Sequence, residues 1–166
     1  MRIVLSTLAA AAIATSAFAA PSKVDARLHD EALEVLKKGI SYRTVAGAGQ
    51  TVAYANYLKS ILVAGGYKDS EVTVEPFADT AILWARYPGK DPKRPAIVVN
   101  GHMDVVEAKP EDWARDPFTP VVENGYVFGR GAVDNKFDVS MVVTTLANLR
   151  RQGWKPGRDI LLALTG

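Results

Sequence analysis

Two short polar segments contain the residue types that could do chemistry in this chain. The first is Asn100-Gly101-His102-Met103-Asp104, where residues two apart in an extended backbone project to the same side. His102 and Asp104 can therefore act together, because an imidazole that binds a metal through one nitrogen commonly donates its other N–H to a carboxylate. The alternative is a hydrogen-bonded surface histidine beside an unrelated aspartate. A single His-x-Asp pattern is too short to decide between the two.

The second segment runs from Gly129 to Lys136 and reads GRGAVDNK. Its glycines permit a tight backbone path, and Asp134 stands just before a predicted helix, where the helix dipole favours an ionised carboxylate. The alternative interpretation of Asp134 is an ordinary helix N-cap. A dinucleotide-binding fingerprint is excluded, because that pattern requires a glycine where Asp134 stands.

The elements that must position these segments follow an α/β pattern. Apolar periodicity predicts helices over residues 22–38, 51–64 and 137–152, and apolar runs predict strands over 71–75, 81–87, 96–99 and 160–164, with a further extended piece over 121–128. The run 96–99 is apolar on both faces, which is typical of a strand in the middle of a covered sheet. The first polar segment follows a strand directly, and open α/β sheets collect their active sites at such strand ends.

The start of the chain has the pattern of a secretory signal peptide. Arg2 precedes an apolar run over residues 3–14, and small residues at 17 and 19 flank Phe18. We therefore expect residues 1–19 to be removed after Ala19 on export to the periplasm or the exterior. A membrane anchor is the alternative, but spanning needs about 20 strongly apolar residues, and serines and threonines interrupt this run.

Composition excludes several classes of function. The chain has 166 residues, 48% of them apolar and 23% charged, which is typical of soluble globular proteins. Its formal net charge of +2 is small, so we expect no nucleic-acid partner and no stable membrane anchor. The lack of cysteine excludes thiolate zinc sites and a cysteine nucleophile. A serine esterase has little support, because the G-x-S-x-G pattern is absent.

Together, the polar segments resemble the zinc-dependent exopeptidase and amidohydrolase superfamily. The similarity rests on VVNGHMDVV at 98–106, Trp113 with DPF at 116–118, and GYVFGRGAVDNK at 125–136, in that superfamily's order and approximate spacing. Its members include glutamate carboxypeptidase, aminoacylase, acetylornithine deacetylase and succinyl-diaminopimelate desuccinylase. The resemblance covers nearly all of residues 20–166. It implies an α/β fold, a three-layer αβα catalytic domain with a mixed, mostly parallel sheet, truncated at the C-terminus.

The resemblance also implies roles for individual residues. His102 is expected to bind one of two zinc ions, Asp134 to bridge both, and Asp104 to orient His102. Paired metal ions polarise a substrate carbonyl and activate water, so the implied reaction is hydrolysis of a peptide or an N-acyl amino acid, by a carboxypeptidase or deacylase. Asn135 and Phe137 depart from family variants that have an acidic residue and a glycine at these positions.

The other expected parts of such a site lie beyond Gly166. In this superfamily the strand predicted at 160–164 runs into an acidic pair that supplies the general base and a metal ligand, and a further acidic ligand, a final histidine ligand and an inserted dimerisation domain follow later. We therefore expect residues 20–166 to be an inactive N-terminal portion whose last strand is open on one side, and a homodimer only for the complete enzyme. His29 is expected on the surface of the first helix. The alternative function is an inactive binding or structural module that retained the fold.

Overall fold

A computed structural model describes residues 26–166. The helices are α1 (Ala26–Ser41), α2 (Thr51–Ala64) and α3 (Lys136–Arg151). The strands are β1 (Val72–Phe77), β2 (Thr80–Tyr87), β3 (Ile97–His102), β4 (Val121–Glu123), β5 (Tyr126–Phe128) and β6 (Ile160–Thr165). The signal peptide predicted over residues 1–19 lies outside the described residues. Within residues 26–166, the helices are too short or too polar to cross a membrane.

Four of the strands form one mixed sheet in the order β1-β2-β6-β3. β2 pairs antiparallel with both β1 and β6, while β3 pairs parallel with β6. The predicted α/β class and mixed sheet are therefore confirmed, although the expected parallel majority is not seen among these strands. The open side expected for the last strand is also not seen. The connection through α3 returns the chain parallel to β3 and inserts β6 between β3 and β2, so β6 is paired on both sides.

α2 and α3 cover one face of this sheet. Side chains alternate along a strand, so Leu83 on β2 and its register partner Leu164 on β6 point to the same side. Both are buried in a core with Leu58 of α2 and Val143 of α3. α1 packs on α3 and contributes Val35 to the same core. The interior therefore lies between one layer of helices and one face of the sheet.

The opposite face of the sheet is open among the described residues. Trp84 on β2 and Val98 on β3 are 45% and 63% exposed. The prediction that residues 96–99 lie in the middle of a covered sheet is wrong for this part of the chain, because β3 is an edge strand here. An apolar run shows that both faces of a strand favour burial, but it does not identify the elements that would cover them. The second helical layer of the expected αβα arrangement is not among residues 26–166.

The extended piece predicted over 121–128 is a two-stranded hairpin of β4 and β5. Asn124 and Gly125 form its turn with φ values of +53° and +81°, the left-handed conformations that a tight hairpin turn requires. The Asn-Gly pair between two apolar pieces is a strong hairpin signal. β5 ends directly before Gly129, so the hairpin leads into the second polar segment.

Candidate metal centre

His102 is the last residue of β3, at the carboxyl end of the strand. The turn that follows is fixed by Met103, which is fully buried and whose N–H donates to the Thr165 carbonyl at 2.6 Å. The His102 side chain itself remains 41% exposed. The backbone at this point is therefore anchored while the imidazole stays accessible.

Asp134 belongs to the loop that enters α3. Gly131 shapes this loop: its φ is +84°, and a Cβ at this position would lie 2.9 Å from the Val105 side chain and 3.0 Å from that of Lys136. A larger residue would therefore push the loop away from the strand end. The peptide bond between Asp134 and Asn135 is cis.

The fold brings the three predicted site residues together. Nε2 of His102 lies 3.0 Å from Oδ1 of Asp134. The other ring nitrogen, Nδ1, lies 3.1 Å from the backbone oxygen of Asp104 and 3.3 Å from its Oδ1. The Asp104 and Asp134 side chains are 49% and 83% exposed. Each carboxylate thus faces a different nitrogen of one imidazole.

This arrangement changes the proton affinity of the ring. Partial burial lowers the pKa of His102, but hydrogen bonds to the Asp104 backbone and to Asp134, together with both carboxylate charges, outweigh burial and raise the pKa above 6.5. A protonated imidazole donates through both nitrogens, which matches the two acidic partners. Since two carboxylates flank one ring, an excess of negative charge remains even when His102 is protonated.

The donors fit a divalent metal ion in type. Imidazole nitrogen and carboxylate oxygen bind zinc at about 2.0–2.2 Å, so two ligands of one tetrahedral ion lie roughly 3.3 Å apart, close to the 3.0 Å between Nε2 and Oδ1. Their number is too small, because zinc takes about four ligands. Within residues 26–166, no group of three His, Cys, Asp or Glu side chains converges on a point where it could hold a metal ion. A complete site needs donors from outside these residues.

Asn135 connects the two polar segments directly, a role that its sequence pattern did not predict. Its Oδ1 accepts the backbone N–H of His102 at 3.2 Å, and its Nδ2 donates to Oδ2 of Asp138 at 2.8 Å. A Cβ at Gly101 would lie 3.0 Å from the same Oδ1, so glycine there leaves room for the contact. The available signal was the amide itself, which offers a donor and an acceptor at once.

Lys136 is a second residue whose role the sequence patterns did not indicate. It is fully buried, its Nζ donates to the Tyr42 carbonyl at 2.6 Å, and it lies 5.4 Å from the centre of the Tyr54 ring. Burial lowers the pKa of Lys136 to about 7. The available signal was its position: Lys136 lies three and seven residues before the buried Val139 and Val143, on the core-facing side of the helix.

Two other features lie apart from this cluster. His29 is exposed on α1, as predicted, with its Nδ1 3.4 Å from Asp30. An apolar groove of about 710 Å³ runs between α1, α3 and the β4–β5 hairpin, and none of the three site residues lines it. Neither feature adds a donor to the candidate metal centre.

Comparison with known proteins finds a family model that matches the part of the chain containing both polar segments. Residues 98–166 match peptidase family M20/M25/M40. The chain is 40% identical over 84 residues to the succinyl-diaminopimelate desuccinylase of Delftia acidovorans, an alignment that covers 50% of this chain and 22% of that protein. It is 30% identical over 139 residues to the probable di- and tripeptidase DUG2 of Saccharomyces cerevisiae, covering 75% of this chain and 16% of that protein. The aligned residues therefore cover less than a quarter of each of these relatives.

A solved structure supports the fold. The di-peptidase Dug1p from Saccharomyces cerevisiae aligns with a TM-score of 0.70 and 20% identity, over 85% of this chain and 33% of that one. At this identity the similarity shows the fold alone. The predicted family resemblance and the predicted α/β catalytic-domain fold are both confirmed.

Proposed function

We propose that this chain, whose residues 98–166 match peptidase family M20/M25/M40, is part of a metal-dependent hydrolase of amide or peptide bonds. One observation carries the proposal: Nε2 of His102 lies 3.0 Å from Oδ1 of Asp134 while Asp104 contacts the other ring nitrogen. Zinc, as a pair of ions, is the proposed cofactor; when bound, it polarises the amide carbonyl and makes water more acidic.

Each of the three side chains has a separate role in this proposal. The Nδ1–H of His102 is directed at the Asp104 backbone oxygen, with the Asp104 carboxylate 3.3 Å from the same nitrogen. This fixes the tautomer and leaves the lone pair of Nε2 free for a metal ion. Asp134 has two carboxylate oxygens and is 83% exposed, so it can bridge two ions. Asp104 therefore acts through His102, whereas His102 and Asp134 are the proposed ligands.

The described residues do not complete this machinery. Hydrolysis also needs a base within hydrogen-bond reach of the attacking water, and none is assigned within residues 26–166. We propose that sequence following residue 166 supplies the base and the remaining ligands. The lengths of the relatives support this proposal, because the alignments include only 22% and 16% of the two proteins.

Peptides and N-acyl amino acids are the proposed substrates. One relative is named a desuccinylase and the other a di- and tripeptidase, and N-acyl and peptide amides present the same carbonyl group to a site. A homodimer is proposed for the complete enzyme only.

The proposal is tested by comparing the 166-residue chain with a longer product of the same gene. Both are stripped with a chelator, reconstituted with Zn²⁺ and assayed on dipeptides and N-acyl amino acids. We expect hydrolysis by the longer product only when metal is present, and none by the 166-residue chain. Activity that survives chelation would contradict the metal-dependent reaction. A folded longer product that binds zinc but hydrolyses none of these amides would favour the inactive binding module instead.

Export is proposed on separate grounds. The signal peptide pattern of residues 1–19 supports removal after Ala19. Mass spectrometry of the exported product should give Ala20 as the first residue. An exported protein that still begins at Met1 would contradict this.

A further inference from the structure

Both polar segments of the candidate metal centre are hydrogen-bonded to one short stretch of chain after α1, through Tyr42 and Thr44. We name Tyr42–Thr44 the brace. The Tyr42 carbonyl accepts from Nζ of Lys136 at 2.6 Å. The Thr44 carbonyl accepts the N–H of Val105 at 3.0 Å, and the Thr44 hydroxyl donates to the Met103 carbonyl at 2.7 Å. One segment of chain therefore binds the strand extension that carries Asp104 and also the loop that carries Asp134.

The first contact of the brace is made with Lys136. Its backbone N–H donates to the Gly131 carbonyl at 3.1 Å, and its buried side chain passes next to Gly131, where a Cβ would lie 3.0 Å from Cδ of the lysine. A hydrogen bond from an ammonium group to a carbonyl is stronger than one between neutral groups. Asp134 lies between Gly131 and Lys136, so both ends of its short loop are tied down.

The second contact of the brace is made by Thr44, which is fully buried. Its two hydrogen bonds reach Met103 and Val105, the residues on either side of Asp104. Met103 and Val105 are 0% and 5% exposed. Because successive residues of an extended chain point to opposite sides, burying both neighbours turns Asp104 outward to His102.

We propose that Lys136 is a positioning residue, which holds Asp134 beside His102 through its bond to the brace. Asn135 joins the two segments to each other, whereas the brace fixes both of them to the end of α1. The contact between Asp134 and His102 is present without a metal ion, so the role of Lys136 can be tested in metal-free protein. Only the effect of Lys136 on metal affinity rests on the proposed function.

The test uses the 166-residue chain, ¹⁵N-labelled at histidine and kept in chelator. Its only histidines are His29 and His102, so the exposed His29 is an internal reference. Lys136→Met keeps a chain of similar length but removes the donor. Val143→Ala is the matched control, since it opens a cavity in the α3 core without touching the brace. Thermal unfolding followed by circular dichroism identifies a temperature at which every variant is folded, and the spectra are recorded there.

In Lys136→Met we expect the Nε2 resonance of His102 to move towards that of a free imidazole, with His29 unchanged. Val143→Ala should lower the thermal midpoint and leave His102 as in the wild type. A wild-type His102 resonance in folded Lys136→Met would overturn the proposal. So would a Val143→Ala spectrum that shows the same change as Lys136→Met, because general loosening would then explain it.

A second pair of variants tests the contact that Thr44 makes with the strand extension, independently of Lys136. Thr44→Val removes the hydroxyl that bonds Met103, and Thr44→Ser retains it. We expect the Nδ1 resonance of His102 to change in Thr44→Val and to be restored in Thr44→Ser. Equal spectra for the two variants would count against the brace.

The consequence for metal binding is measured by titrating Zn²⁺ into the longer gene product and its Lys136→Met variant after the chelator has been removed. Lys136→Met should raise the zinc midpoint about 10-fold, the lower end of the effect of outer residues that orient metal ligands. An unchanged midpoint in Lys136→Met would contradict this consequence. If the longer gene product takes no zinc at His102, the proposed function fails, while the metal-free spectra still decide the role of Lys136.

Discussion

Two clusters of charged side chains in this protein are built differently. In the first, the Arg150 cluster, the guanidinium of Arg150 lies 2.7 Å from the Glu71 carboxylate, and these side chains are only 20% and 15% exposed. The same guanidinium lies 5.0 Å from the ring centres of both Tyr67 and Tyr87. One positive charge therefore meets one negative charge between two aromatic rings.

The candidate metal centre has the opposite balance. One imidazole, His102, faces the two carboxylates of Asp104 and Asp134, and the three side chains are 41%, 49% and 83% exposed. A matched and partly buried pair depends on both partners, so removing one destabilises the fold, whereas surplus acceptors at an accessible strand end leave a place for a cation. The balance of charge and exposure therefore distinguishes the two clusters better than the residue types do.

The largest effect is expected from removing the Asp134 carboxylate, the more exposed of the two. In the longer gene product, Asp134→Ala should abolish detectable amide hydrolysis, because it removes a proposed bridging ligand. It should change the free energy of unfolding by less than about 0.5 kcal/mol, as for most surface substitutions. Activity assays and denaturant unfolding measure both, with Asp112→Ala as an exposed carboxylate control. Two zinc ions retained by Asp134→Ala would count against the bridging role.

A smaller loss is expected from the residue that acts through the ring. Asp104→Asn should retain metal but lose about 10- to 100-fold in activity, the usual cost of altering a group that orients a metal ligand. Elemental analysis beside the activity assay separates the two effects. A variant with full activity would show that Asp104 does not orient His102.

The Arg150 cluster should show the reverse pattern. Arg150→Met leaves Glu71 without its charged partner, and we expect a loss of about 2 kcal/mol in the free energy of unfolding, below the 3–5 kcal/mol of fully buried pairs. Arg151→Met is the matched control: its pair with Glu31 is 45% and 30% exposed and should be worth less than about 1 kcal/mol. The histidine NMR spectrum should be unchanged in both. Equal losses of unfolding free energy in the two variants would show that the Arg150–Glu71 pair matters no more to stability than the exposed Arg151–Glu31 pair.

The smallest effect concerns the proton on His102. In metal-free protein its pKa should lie above 6.5, and Asp134→Asn should bring it closer to 6.5 by removing one charge and weakening one hydrogen bond. A raised pKa means that the folded state holds the proton more tightly. Its contribution to stability is therefore full below pH 6.5 and is lost as the pH rises through the folded pKa. An NMR titration of both histidines checks this, and a His102 pKa unaffected by Asp134→Asn would contradict it.

Local signals in the sequence predicted much of the fold. The helix expected over 51–64 is α2 with the same bounds, since its apolar residues and the two glycines after it act within a few positions. The order of the strands could not be predicted in this way. β6 lies between β2 and β3 because of pairings between residues far apart in the chain, which no short pattern encodes.

The same limit applies to the candidate metal centre. His102, Asp104 and Asp134 were predicted because each lies in a recognisable short motif, and the structure brings them together. The role of Lys136 depends on Tyr42, which is 94 positions away. A lysine on the buried side of a helix signals that a partner is needed, but only the folded chain shows that this partner is a backbone carbonyl.

The central claim is that His102 and Asp134 hold the same metal ion. It is tested most directly by titrating Zn²⁺ into the ¹⁵N-histidine-labelled longer gene product and into its Asp134→Ala variant. We predict that zinc shifts the Nε2 resonance of His102 in the wild type, leaves His29 unmoved, and produces at least a tenfold weaker response at His102 in Asp134→Ala, since a lost ligand should cost no less than a lost orienting group. Equal zinc midpoints for His102 in the two proteins would contradict the claim.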